Sequence, residues 1–390
     1  MSASATKGAN SPIAPGFSVA IVGTGFVADL YMRSLQTFPE IRVVGAYDKD
    51  PKRLQAFCGH WGVAAAASLD ELLSAAAGGG RTHLVLNLTN PGAHHAVSKS
   101  CLERGFSVYS EKPLAMGMEE ARELHALARA RGLFLASAPC SHLSESAQTL
   151  RWAVRERLVG KPLLVYAELD DDFISQAPYR KWLSESGAPW PYLDEFEVGC
   201  TVEHAGYYLT WLMMILGPVD KVVAASAELV VPKCEGLARS APDFSTAVLF
   251  FRSGVVARLT CSIVAPHSHG LRLVGDGGVL EIDECWNNRA PVRLRKRLVI
   301  RRRLINNPFA KTLRAPGVSQ PRVGRRGAAS MNFALGPAAV LKAMARGAAP
   351  EPFADFALHL NEVTLAIQGA GDNAGSQQIH SDFVYPEVPA

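Results

Sequence analysis

The chain has 390 residues, 48% of them apolar and 19% charged, with 40 Lys and Arg against 36 Asp and Glu. This balance excludes a disordered polypeptide, supplies a sizeable core and suits two domains. The net charge of +4 is unevenly placed. Residues 289–326 hold thirteen basic residues and no acid, leaving a remainder of 27 basic and 36 acidic residues, net −9.

Residues 1–16 are small, polar and rich in Pro and Gly, without the apolar segment of a secretory leader, and read as a loose tail. Seven scattered cysteines, never in C-x-x-C spacing, disfavour a disulfide framework or a zinc knuckle and suit a reducing cytoplasm. The apolar runs are too interrupted to span a membrane.

Val19 to Val22 is a β-branched strand that meets Gly23-Thr24-Gly25 and then an amphipathic helix from Val27 to Leu35. This is the strand, tight turn and helix of a dinucleotide loop. Gly23 permits the turn, Gly25 admits a pyrophosphate, and Ala28 allows close helix–strand packing. The helix N-terminus adds free N–H groups and a positive dipole end. Thr24, Phe26 and Val27 belong to the same expected cofactor contact. A second strand, Ile41 to Tyr47, ends at Asp48, placed to bind the adenosine ribose hydroxyls. That acid favours NAD over NADP, although Lys49, Lys52 and Arg53 would admit a 2′-phosphate. Helices over 51–61, 68–77, 94–103 and 118–131 then alternate with strands over 83–88, 107–110 and 133–136. The alternation predicts a doubly wound parallel sheet, a Rossmann domain over 17–140.

Two strand ends in this domain carry polar strings: Asn87 to His94, and Glu111-Lys112-Pro113. Ligands of open α/β sheets lie beyond such carboxyl ends. The set Gly23-Thr24-Gly25, Asp48, Thr89 to His94 and Glu111-Lys112-Pro113 resembles the Gfo/Idh/MocA family of glucose–fructose oxidoreductase and inositol dehydrogenase. The usual Thr-Pro-Asn is here Thr89-Asn90-Pro91. The resemblance implies that Thr89, Asn90, Pro91, His94, Glu111, Lys112 and Pro113 surround the cofactor. It also implies that Lys112 orients the reacting substrate oxygen beside the nicotinamide.

Beyond residue 150, strand-like stretches at 163–169, 222–231, 246–252, 255–265, 271–274 and 279–282 follow one another with short turns. They predict an α+β domain over 141–390 with an open, mainly antiparallel sheet. The helix from Gly199 to Leu216 carries Glu203, Ala205 and Tyr207 where the family has the Asp, Gly and His of Asp-x-Gly-x-His, with His204 beside Glu203. The resemblance implies Tyr207 as the catalytic acid/base, Glu203 on its helix face, and His204 as the rival base. Successive residues turn about 100°, so His204 is expected to point away from that face.

The aromatic insert from Asp170 to Tyr192 suits either a carbohydrate-like ligand or a subunit contact, with Arg180, Trp182 and Tyr192 as substrate candidates alongside Lys112 and Tyr207. Asp170-Asp171-Asp172 reads as solvated acids, and no metal is expected. The basic segment has three readings: a charged edge strand around Val292–Arg295, a clasp on another subunit, or a site for an anionic substrate such as a nucleotide sugar. No nucleic-acid module accompanies it. The expected function is NAD(P)-dependent hydride transfer at a secondary alcohol or ketone of a sugar, cyclitol or nucleotide-sugar derivative, by a homo-oligomer (dimer or tetramer). The alternative is an inactive, cofactor-binding regulatory or scaffold protein of the same fold.

Overall fold

The computed structural model describes residues 16–77, 82–371 and 375–387. Most of the expected tail therefore lies outside the described residues. The first domain runs β1 (Phe17–Val22), α1 (Phe26–Leu35), β2 (Ile41–Tyr47), α2 (Pro51–Trp61), α3 (Leu69–Ala77), β3 (Thr82–Asn87), α4 (His94–Glu103), β4 (Val108–Ser110), α5 (Met118–Arg131) and β5 (Leu135–Ser137). All five strands are parallel, in the order β2-β1-β3-β4-β5. The order reverses between β1 and β3, and the crevice beyond their carboxyl ends is where such sheets bind ligands.

Local chemistry sets the boundaries. Asp50 caps α2 by accepting from the Lys52 and Arg53 amides at 2.9 and 3.2 Å, and Pro51 takes the first helical position. Gly62, at φ +65°, closes the same helix in the left-handed conformation.

The chain continues with α6 (Glu145–Arg155), β6 (Pro162–Asp170), α7 (Tyr192–Val198), α8 (Cys200–Leu216), β7 (Val219–Ala227), β8 (Phe244–Phe251), β9 (Val256–Ser262), β10 (Leu271–Gly275), β11 (Gly278–Ile282), β12 (Val292–Ile300), β13 (Arg303–Asn306), β14 (Lys311–Leu313), α9 (Leu335–Ala345), α10 (Glu351–Gln368) and β15 (Ser376–Gln378). The second sheet has the order β13-β12-β11-β10-β6-β9-β8-β7-β15 and is antiparallel except where β6 meets β9. One face of it and the apolar α8 bury a common core that includes Trp211, Tyr208, Leu249, Leu259 and Leu273.

Two details depart from the sequence reading. The strand expected over 222–231 begins at Val219 and ends at Ala227; beyond it the Leu229 and Val230 amides donate to the Asp243 carboxylate instead of to a neighbouring strand. The basic segment is not a bare edge: β12 pairs with β11 on one side and with β13 and β14 on the other. Helices α9 and α10, near the C-terminal end of the chain, pack their Ala-rich faces against the Rossmann domain through Ala338, Leu341, Ala354 and Ala357.

Candidate active site

The loops after β1, β3 and β4 converge with α7 and α8 on a cleft of about 770 Å³. Its cofactor end is built by glycines with distinct tasks. Gly23 has φ +93°, and a Cβ there would fall 2.6 Å from the Leu88 carbonyl carbon. Gly25 faces open space at the start of α1, so a pyrophosphate can approach the backbone where the helix dipole is positive. Asp48 holds this loop: its Oδ2 accepts from the Thr24 amide at 2.8 Å and the Thr24 hydroxyl at 2.9 Å, while Oδ1 accepts from the Asp50 amide. Arg53 lies 3.8 Å from Asp48 and also lines the cleft. This loop fits a dinucleotide by its own geometry.

Thr89, Asn90, Pro91, Phe26, Val27, Glu111 and Lys112 line the same cleft. Thr24, Asp48, His94 and Pro113 are not part of its wall. His94 is fully buried behind it, with Nδ1 2.6 Å from the Pro113 carbonyl and Nε2 2.8 Å from the Thr89 carbonyl. It ties the two strand-end loops together, and burial pushes its pKa down. The Lys112–Pro113 peptide is cis.

At the substrate end, Lys112 Nζ donates to Glu203 Oε2, an ion pair joining the first domain to α8. Glu111 supports the loop from behind, accepting from the Tyr31 hydroxyl at 2.7 Å and the Lys112 amide at 3.1 Å. Tyr207 lines the cleft, and burial, with Glu111 and Glu195 nearby, holds its pKa well above the usual phenol value. Tyr207 is therefore held as a neutral phenol.

His204 does face the cleft, contrary to the sequence expectation. With α8 starting at Cys200, His204 and Tyr207 are three apart and share a face. Its Nδ1 donates to the Cys200 carbonyl at 3.1 Å, and burial beside Lys112 pushes its pKa down to about 3. It is neutral at ordinary pH and carries no spare proton.

Of the aromatic insert, Trp182 lines the cleft with Trp190. Arg180 is exposed, its guanidinium 5.6 Å from the Tyr192 ring, and neither residue reaches the cleft wall. Sequence reasoning missed Glu195, Asp171 and Trp286. Glu195 faces the cleft from α7 with its pKa raised by burial, a placement without a local sequence signal. Trp286 stands edge-on to Tyr207 at 5.8 Å, and it arrives from a loop nearly eighty residues away.

Residues 17–138 match the model described as an oxidoreductase family with an NAD-binding Rossmann fold, and residues 147–281 match the GFO/IDH/MocA C-terminal domain. The chain belongs to the GFO/IDH/MocA oxidoreductase family. Its Rossmann domain is an NAD-binding one. Trans-1,2-dihydrobenzene-1,2-diol dehydrogenase of Bos taurus is 24% identical over 273 residues, 68% of this chain and 74% of that protein. Among solved structures, levoglucosan dehydrogenase in complex with NADH and levoglucosan superimposes with a TM-score of 0.72 at 14% identity, covering 93% of this chain and 99% of that one. The WlbA dehydrogenase of Bordetella pertussis, in complex with NADH and UDP-GlcNAcA, gives 0.67 at 17% identity over 95% of this chain and 100% of that one. Among the described residues, no helix is long and apolar enough to cross a membrane.

Proposed function

We propose that this family member is an NAD(H)-dependent dehydrogenase acting on a secondary alcohol or ketone of a polyhydroxylated ring, such as a sugar, a cyclitol or their nucleotide-linked derivatives. The observation that carries this reading is that the Lys112–Glu203 ion pair and Tyr207 line the same cleft as Gly25, Phe26 and Val27 of the dinucleotide loop. Residues 17–140 would hold the cofactor, with Gly25 at the pyrophosphate and Asp48 and Arg53 at the adenosine ribose. Bound there, the nicotinamide would accept or supply the hydride.

The chain's own residues account for the rest. Lys112 orients the reacting oxygen and stabilises negative charge developing on it. Tyr207, held as a phenol, delivers its proton to that oxygen during reduction and is left as the phenolate; in the oxidation direction it is the phenolate that takes the proton from the substrate hydroxyl. Glu203 fixes the position of Lys112. Trp182, Trp190 and Trp286 offer apolar faces to a ring whose edges carry hydroxyls. Ligands of this kind are named for the relatives above. Val223 and Val248, register partners on the outer face of the second sheet, stay exposed and support assembly into a homo-oligomer.

The test is initial-rate NAD reduction across a panel of aldoses, cyclitols, nucleotide sugars and cyclic vicinal diols. Turnover abolished by Lys112→Met supports the reading. NADH binding without turnover on any member would favour a chain that only binds the cofactor.

A further inference from the structure

Beside the reaction site lies a second cluster that hydride transfer does not use. Asp171, at the end of β6, lines the cleft, and His267 and His269 come from the loop before β10. One ligand atom from each of these three lies within 4.8 Å of the other two. Glu284 arranges the imidazoles. Its Oε1 lies 2.9 Å from His269 Nδ1 and its Oε2 lies 3.2 Å from His267 Nε2. A carboxylate on one ring nitrogen of each histidine is how metal-binding imidazoles are held.

What Glu284 leaves over is His267 Nδ1 and His269 Nε2. His267 Nδ1 is 3.7 Å from Asp171 Oδ1. His269 Nε2 is buried without any hydrogen-bond partner, on a side chain that is fully covered. On the other side of Asp171, His204 Nε2 sits 3.6 Å from Oδ2, with its Nδ1 already donating to Cys200. Its lone pair thus faces a carboxylate oxygen, an arrangement that a cation between them would satisfy.

We propose that Asp171, His267 and His269 bind a divalent first-row transition metal ion at the wall of the substrate cleft, with His204 and a ligand oxygen available to complete its shell. Two imidazoles and one carboxylate suit zinc, cobalt or iron better than the hard, all-oxygen cations. Donor atoms at this spacing can close around one ion, with metal–ligand bonds of roughly 2.0–2.2 Å, by small side-chain shifts. This reverses the sequence expectation of no metal, which rested on the three consecutive aspartates. Only Asp171 of those three takes part, and its partners lie almost a hundred residues away.

The test is titration of chelator-treated, tag-free protein with Co²⁺, followed by its visible absorption and by quenching of Trp286, whose ring lies 4.3 Å from that of His269. One tight equivalent is expected, displaced by Zn²⁺. His267→Ala, at a side chain 43% exposed, and the near-isosteric Asp171→Asn should each weaken it at least about tenfold. His95→Ala, in a surface pair with Glu123, should leave it unchanged. Circular dichroism establishes folding, and Asp171→Asn carries the comparison alone if His267→Ala does not fold. No stoichiometric binding, or binding equally tight in the folded variants, would overturn the site.

Discussion

Lys112 and Glu203 face each other across the junction between the Rossmann domain and α8, and their ion pair lines the cleft. Glu203 is almost fully buried, so its charge is not screened by water and holds the ammonium firmly. Glu203→Gln should therefore lower kcat/KM on the order of 10–100-fold without unfolding the chain, whereas Lys112→Met should abolish turnover. Steady-state kinetics with a single substrate checks both.

Tyr207→Phe removes the proton donor and should lower kcat about 10²–10⁴-fold. His204→Asn, which removes a neutral ring, should cost less. The pH dependence of kcat separates them further. With the Tyr207 pKa raised by burial, ketone reduction should show no loss of activity from the phenol across the neutral range. A loss near neutrality that disappears in His204→Asn would reassign the proton.

Acid stability has a defined sign. Burial pushes the pKa values of His142 and His204 down to about 3 and that of His359 to about 4, against 6.5 for the free side chain. Their contribution is fully present above the unfolded value and is lost as pH falls toward the folded ones. Between these limits the unfolded state binds more protons, costing about 1.4 kcal/mol per pH unit for each histidine. Asp170, raised to about 6 by burial, works in the opposite sense and offsets part of the loss. Urea denaturation from about pH 7 to about pH 5 should show falling stability, and His142→Gln should flatten the slope by one proton.

The basic segment divides into two parts with different expected effects. Arg301, at φ +57°, and Arg302 and Arg303 sit at the turn between β12 and β13 and are absent from the cleft wall. Neutralising all three should leave the substrate KM unchanged. Arg325 instead bonds Glu185 at 3.0 Å, and Glu185 also holds Arg33, which lines the cleft. Arg325→Ala should raise KM modestly, in a salt-dependent way, by loosening Arg33.

The legible parts of the fold were those written in local chemistry. The alternating elements of residues 17–140, the glycine loop and the Glu111-Lys112-Pro113 string each declare themselves within a few residues. Distant assembly left no such mark. His267 reaches Asp171 because β6 and β10 are neighbours in the second sheet, and Trp286, which meets Tyr207, follows β11, the next strand over. His204 was misjudged by angular reasoning that compared it with Glu203 alone. His94 was legible in position but not in role, since a motif does not tell which side of a loop a ring supports.

Tyr207 and Lys112 are proposed to serve hydride transfer on a hydroxylated ring. NADH carrying deuterium at the transferable C4 position, incubated with ketone forms of the panel substrates, tests it most directly by mass analysis of the product. Deuterium is expected on the new carbinol carbon with the wild-type chain, and transfer at least about a hundredfold slower with Tyr207→Phe. Deuterium transfer at equal rates in the two proteins, or none from bound NADH to any member, would contradict it.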